Sequence, residues 1–293
     1  MTTAHKSRVL DMTQGDPFRL LLQFSLPLFC SNLLQQVYNL TDTALAGHLL
    51  GSAALAEIGA TAALYGLIMN FAFGMNNGLA LTVSRCFGAG EREGIRRAVG
   101  WMVTLSAAVS IVLTTVSLLG RGALLQVLQV PAEVWDGAAA YLTVILLGIP
   151  LTMLYNMEAA LLRAVGNSVT PLLFLLFSSV LNVGLDAAFM GPLGMGVRGA
   201  AVATVLAQGI SAVLGAVYLV RSYPELHFAP AHLKKSARRA VMNMFWVGMS
   251  MGLMSAIYNL GSVALQSSIN ALGSVYITAQ TAARRMAEMY FIP

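Results

Sequence analysis

Apolar residues fall in runs of about 20 or more, broken by short stretches rich in Gly, Pro and Asn. The runs lie at 18–44, 54–83, 97–119, 136–160, 171–190, 198–220 and 241–266, and an eighth begins near 274. Each of the first seven can cross a bilayer as a helix rising ~1.5 Å per residue. Turn chemistry marks the breaks: Leu50-Gly51, Phe87-Gly88-Ala89-Gly90, Val130-Pro131, Gly166-Asn167, Gly191-Pro192 and Tyr223-Pro224. The pattern predicts an all-α polytopic membrane protein without a soluble domain.

The polar residues inside the runs are few and placed unevenly. Asn182 and Asp186 sit at i and i+4 in the run Pro171–Met190, so a helix stacks them on one face. An ionised carboxylate facing hydrocarbon costs at least ~2.5 kcal/mol, so such an acid is expected to face protein or a watery cavity.

Composition agrees with the pattern. The chain is 57% hydrophobic and 10% charged, where a soluble domain carries ~25% charged residues. The net charge of +5 suggests nucleic acid only until its placement is read, because the Lys and Arg residues lie in the short loops. Thirteen fall at the N-terminus and in alternate loops (Lys6, Arg8, Arg19; Arg85, Arg92, Arg96, Arg97; Arg163; Arg221, Lys234, Lys235, Arg238, Arg239). The other loops hold two, Arg121 and Arg198. A cytoplasmic N-terminus is therefore expected, with no nucleic-acid partner and the lipid bilayer as the surrounding medium. The polar start has no apolar signal-peptide core, so no cleavable signal is expected. Cys30 and Cys86 point to neither a disulfide framework nor a metal site, and His5, His48, His227 and His232 lack metal-ligand spacing.

With the topology set, depth follows from the helical rise. Asp42 lies close to the outer end of the first span, Asp186 about 6–8 Å below the outer loop with Asn182 one turn deeper, and Thr204 about 9 Å below it. Four polar side chains on three spans thus share one level in the outer half of the membrane. A repeat is also visible. Tyr38-Asn39-Leu40 recurs as Tyr258-Asn259-Leu260, and Leu50-Gly51-Ser52 as Leu272-Gly273-Ser274, about 220 residues or six spans apart. Copies six spans apart share orientation and make a parallel repeat. Ser262 stands where the first copy has Asp42.

Several stretches together resemble the multidrug and toxic compound extrusion (MATE) transporters. They are SLPLFCSNLLQQVYNLTDTALAGHLLGSAALA, FGAGEREGIRRAV, LLRAVGNSVTP, LNVGLDAAF and GPLGMGVRGAAVATVLAQ, in this order. The resemblance implies two six-helix lobes around a central cavity and export of small organic, often cationic, compounds driven by Na+ or H+, with no cofactor. The full transporter is then expected to be a monomer of a bacterial inner membrane. It further implies a cation-coupling cluster at Asp42, Asn182, Asp186 and Thr204, the only place where Na+ would bind, and a helix bend at Pro27. The expected divisions are 1–17, a cytoplasmic N-terminus; 18–221, the N-terminal lobe; 222–240, a basic cytoplasmic linker; and 241–293, an incomplete start of the second lobe. By the repeat period that lobe would end near residue 440 or so. Spans seven and eight are accordingly expected to pack loosely, and the chain alone is not expected to catalyse antiport.

Competing readings attach to the remaining polar residues. Tyr38, Tyr141, Tyr155 and Asn156 are candidates for the cavity lining, although such residues also serve interhelical packing. Gly74, Gly78 and Gly88 read as close-packing or turn residues. Glu158 is expected to snorkel to the interface beside Arg163, and Arg284 and Arg285 to pair with Glu288 within one helix, with a substrate or gating role as the alternative. Arg198 has no assigned role. A membrane-embedded enzyme is disfavoured because no paired-acid, metal or nucleophile–base motif is present. A lipid-linked precursor flippase of the same superfamily, or a non-transporting truncated product, remains as an alternative; the flippase would favour a basic cavity.

Overall fold

The computed structural model describes residues 15–227 and 238–290, and the N-terminal segment before residue 15, most of the basic linker and residues 291–293 lie outside that description. Eight long helices follow one another: α1 Pro17–Leu50, α2 Ser52–Gly88, α3 Arg92–Leu119, α4 Trp135–Ala164, α5 Val169–Met190, α6 Val197–Ser222, α7 Arg238–Asn270 and α8 Ser274–Tyr290. A seven-residue helix, Arg121–Val127, fills the α3–α4 connection and was not foreseen. The first seven long helices are long and apolar enough to cross a membrane. No strand occurs among the described residues.

Local chemistry fixes the helix ends. Asp16 caps α1 by accepting from the Phe18 N–H at 3.2 Å, and Pro17 follows at a position where a missing N–H costs nothing. Gly51 and Gly273 occupy equivalent places in the sequence repeat, with φ of +85° and +103°, a region most side chains avoid. Each turns the chain straight into a helix that begins with serine, Ser52 or Ser274. Asn167 closes the α4–α5 turn: its Oδ1 accepts from the Thr170 N–H at 3.0 Å and its Nδ2 donates to Tyr223 Oη at 2.8 Å.

α2 and α4 form the centre, flanked by α3, α6 and α7. Leu142, Leu146, Ile149 and Met153 of α4 are fully enclosed among Ala60, Leu64, Ile68 and Ala72 of α2. Lipid is as apolar as these side chains, so close packing and interhelical hydrogen bonds hold such helices together. Asn76 supplies one such link, accepting from Ser106 Oγ of α3 at 2.9 Å.

The loose packing expected of the last two helices is overturned. α7 makes the most extensive helix–helix contact of the described chain, against α2. Gly78 of α2 meets Gly248 of α7, Gly74 rests on the Met251 carbonyl and Ser255, and Gly252 receives Phe71; both helices carry their glycines at the same four-residue spacing. A methyl group on Gly78 would lie 2.7 Å from the Gly248 Cα, so backbone rests on backbone. The turn after α7 is pinned as well: Asn270 Nδ2 donates to the carbonyls of Ala60 at 3.1 Å and Leu128 at 2.7 Å, and Thr278 Oγ1 to that of Ser52 at 3.0 Å. Partners within their own repeat were the wrong criterion, because the first lobe supplies the surface.

Candidate cation-coupling site

α1, α5 and α6 converge at the end of the bundle where the α1–α2, α3–α4 and α5–α6 connections lie. α1 persists to Leu50, so Asp42 sits eight residues before its end, about 12 Å along the helix and deeper than the run of apolar residues suggested. Asp186 is fully buried on α5, whereas Asp42 is partly exposed. The two carboxyls lie within hydrogen-bonding reach of each other. Each also keeps a buried Oδ1 that no N–H or hydroxyl donor reaches. Two carboxylates facing each other repel, so this contact calls for a proton or a cation between them.

Asn182 and Thr204 complete the surroundings. With the Asn182 amide oriented so that donors meet acceptors, its nitrogen donates to Asp186 Oδ2 at 2.9 Å. Its oxygen accepts from the Thr204 backbone N–H at 3.2 Å. Thr204 Oγ1 donates to the Ala200 carbonyl at 3.0 Å, which leaves its lone pairs available. All four residues singled out by depth are therefore neighbours, and together they offer carboxyl, amide and hydroxyl oxygens to one small cation.

Of the cavity candidates, Tyr38 and Tyr141 come to this site and Tyr155 and Asn156 do not. Tyr38, one turn before Asp42, brings its hydroxyl near Thr204. Tyr141 is buried beside the acidic pair in a cluster with Ala46, Ile58 and Ala201. Tyr155 lies further along α4 beside Glu158, and Asn156 Nδ2 is spent on the Thr152 carbonyl of its own helix at 2.9 Å. Pro27 stands inside α1, which continues as helix through it, and its carbonyl accepts from Ser31 Oγ at 2.8 Å.

Two contributors, Tyr65 and Gln208, escaped the sequence reading, and for a third, Arg285, the spacing predicts an intrahelical ion pair first. Arg285 of α8 reaches α1, donating from Nε to Thr43 Oγ1 at 3.0 Å, and its charge acts on Asp42. Arg284 brings its guanidinium near Gly66 of α2 and Asn259 of α7. The Glu288 side chain lies outside the described residues, and with it the pairing expected for these arginines. Tyr65 and Gln208 lie next to one another just below the cluster, and Thr152 Oγ1 donates to Gln208. Their signal was the i, i+4 relation of Gln208 to Thr204.

Known proteins share this architecture. Residues 27–188 match the MatE family. The chain is 28% identical over 286 residues to the probable multidrug resistance protein YpnP of Bacillus subtilis, covering 98% of this chain and 64% of that protein. It is 27% identical over 246 residues to the probable multidrug resistance protein NorM of Thermotoga maritima, covering 82% and 52%. A solved structure described as the inward-facing conformation of a multidrug resistance MATE family transporter superposes with a TM-score of 0.76 at 24% identity. That match covers 86% of this chain and 57% of the other. The chain thus spans less than two thirds of the length of these relatives, and over that length it belongs to the MatE family of membrane transporters.

Proposed function

We propose that the chain provides the cation-binding lobe of a cation-coupled exporter of organic, often cationic, compounds that works by alternating access. Its arginine-rich end and N-terminus face the cytoplasm of a bacterial inner membrane. The observation that carries the proposal is the contact of the Asp42 and Asp186 carboxyls between α1 and α5. The names of YpnP and NorM support the substrate class.

In this arrangement the pair holds one proton, and Na+ would compete for the same oxygens together with those of Asn182 and Thr204. Either cation draws α1 onto α5. Removing it leaves two facing carboxylates that push the helices apart. Arg285 then acts as a tethered cation beside Asp42, so occupancy is read out by α8 as well as by α1. Pro27 lies fifteen residues before Asp42, ~22 Å along α1, and it lacks the N–H that would close one helical hydrogen bond. α1 bends there most cheaply.

The test is binding by the purified chain in lipid nanodiscs, with ethidium as a fluorescent organic cation, at two pH values and with or without Na+. Ethidium affinity should change about fivefold or more with the cation condition, the lower range of a coupling free energy. Asp42→Asn or Asp186→Asn should abolish that dependence while ethidium still binds. A dependence that survives in both variants overturns the assignment. Arg284 and Arg285 on α8 favour a second reading, an anionic lipid-linked substrate. Binding of such a lipid in preference to ethidium, lost in Arg284→Gln and Arg285→Gln, would decide for it.

A further inference from the structure

The snorkelling expected of Glu158 does not occur. Glu158 is 4% exposed, and its Oε1 has no hydrogen-bond partner. Its Oε2 lies against Gly215 of α6, where any β-carbon would collide with it, and this missing side chain is what admits the carboxyl. Ser211, one turn earlier on α6, is fully buried and its Oγ is likewise without a partner. Both residues line one pocket with Tyr155, Pro171 and Phe174. Its free volume of about 10 Å³ is close to what one water molecule needs.

The groups that face this carboxyl are few. From α4 they are Tyr155 and, about a turn further on, Arg163. Arg163 is engaged elsewhere, donating to Asn77 Oδ1 at 3.1 Å and stacking 5.7 Å from the centre of the Phe73 ring. α5 offers Pro171 and Phe174, neither titratable, and Tyr218 of α6 stands behind the Phe174 ring. Among the described residues no cation lies within ion-pair distance of Glu158. A buried, unpaired carboxylate is costly, whereas a protonated carboxyl can use both its oxygens as donor and acceptor.

A polar stripe joins this pocket to the acidic pair. Thr204, Gln208, Ser211 and Gly215 recur at three- and four-residue spacing on one face of α6. α4 lays Thr152 against Gln208, and Tyr155 and Glu158 against Ser211 and Gly215. We propose that Glu158 is a second proton-binding residue of the protein, which holds one proton at the arginine-rich end of the α4–α6 interface and shares a water molecule with Ser211. The site stands independently of the coupling role of Asp42 and Asp186. Only the use of the stripe as a proton path between the two sites rests on that role.

Infrared difference spectroscopy of the purified chain in nanodiscs, run as a pH titration, tests this. The wild type should show a protonated-carboxyl stretch that Glu158→Gln removes and that persists in the Asp42→Asn/Asp186→Asn double variant. Ser211→Ala should shift that stretch to higher frequency without removing it, because the carboxyl loses a hydrogen-bond relay; a merely structural serine would leave it unmoved. If Glu158→Gln disturbs assembly, the Ser211→Ala shift decides alone. A spectrum unchanged in Glu158→Gln, or a stretch unmoved in Ser211→Ala, overturns the proposal. Loss of every carboxyl stretch in the Asp42/Asp186 double variant would overturn it too. Persistence of the Glu158 stretch there, with cation-dependent ethidium binding lost, separates the two sites.

Discussion

Asp186 receives one hydrogen bond, from Asn182, and meets the Asp42 carboxyl with its remaining capacity. Asn182→Ala removes the amide that donates to the fully buried Asp186, a loss of ~1–3 kcal/mol. The variant should melt at lower temperature and lose the cation dependence of ethidium binding; thermal unfolding followed by tryptophan fluorescence measures the first effect. Tyr38→Phe deletes a hydroxyl beside Thr204 but no charge. Cation coupling should fall about fivefold, as expected for ~1 kcal/mol, without disappearing. That Asp42, Asn182, Asp186 and Thr204 would come together was legible because a buried acid inside an apolar run is costly and calls for polar neighbours. Glu158 was misread for a related reason. An acid six residues from a helix end can reach the interface or stay inside, and the sequence of α4 alone does not decide. The deciding residue is Gly215, on another helix and far away in the chain.

At the scale of elements, length and periodicity located the spans, and the repeat correctly placed the turns at Gly51 and Gly273. The partner of α7 was not legible, since contact between α2 and α7 is written in missing side chains. Gly74 and Gly78 were read as close-packing residues, and the matching stripe was Gly248 and Gly252. Gly78→Ala forces a methyl onto the Gly248 backbone and should cost ~1–3 kcal/mol, the usual range for overpacking. A thermal melt of the variant should show a clear drop, with Gly88→Ala, which meets nothing, as the unaffected control. For α1, Pro27→Ala restores one helical hydrogen bond. It should raise the melting point while shrinking the cation-induced change in spin-label distance across residue 27; an unchanged distance response would remove bending from the account.

Across the whole molecule, orientation rests on the count of loop charges. In a background with Cys30 and Cys86 replaced by serine, Gln126→Cys should react with an impermeant thiol reagent from outside the cell. Glu91→Cys should react only after permeabilisation; both positions are exposed. The reverse pattern would put the acidic pair at the cytoplasmic end of the molecule and Glu158 at the outer end. The paired glycines of α2 and α7 carry a mechanical consequence. Interlocking side chains resist sliding, because each must climb out of its hole before it can enter the next. At Gly78 and Gly248 backbone touches backbone without such teeth, but Phe71 seats against Gly252 and Leu79 against Gly248. The joint can therefore bear load but resists sliding, with Phe71 and Leu79 as its keys, more like a keyed shaft than a plain bearing.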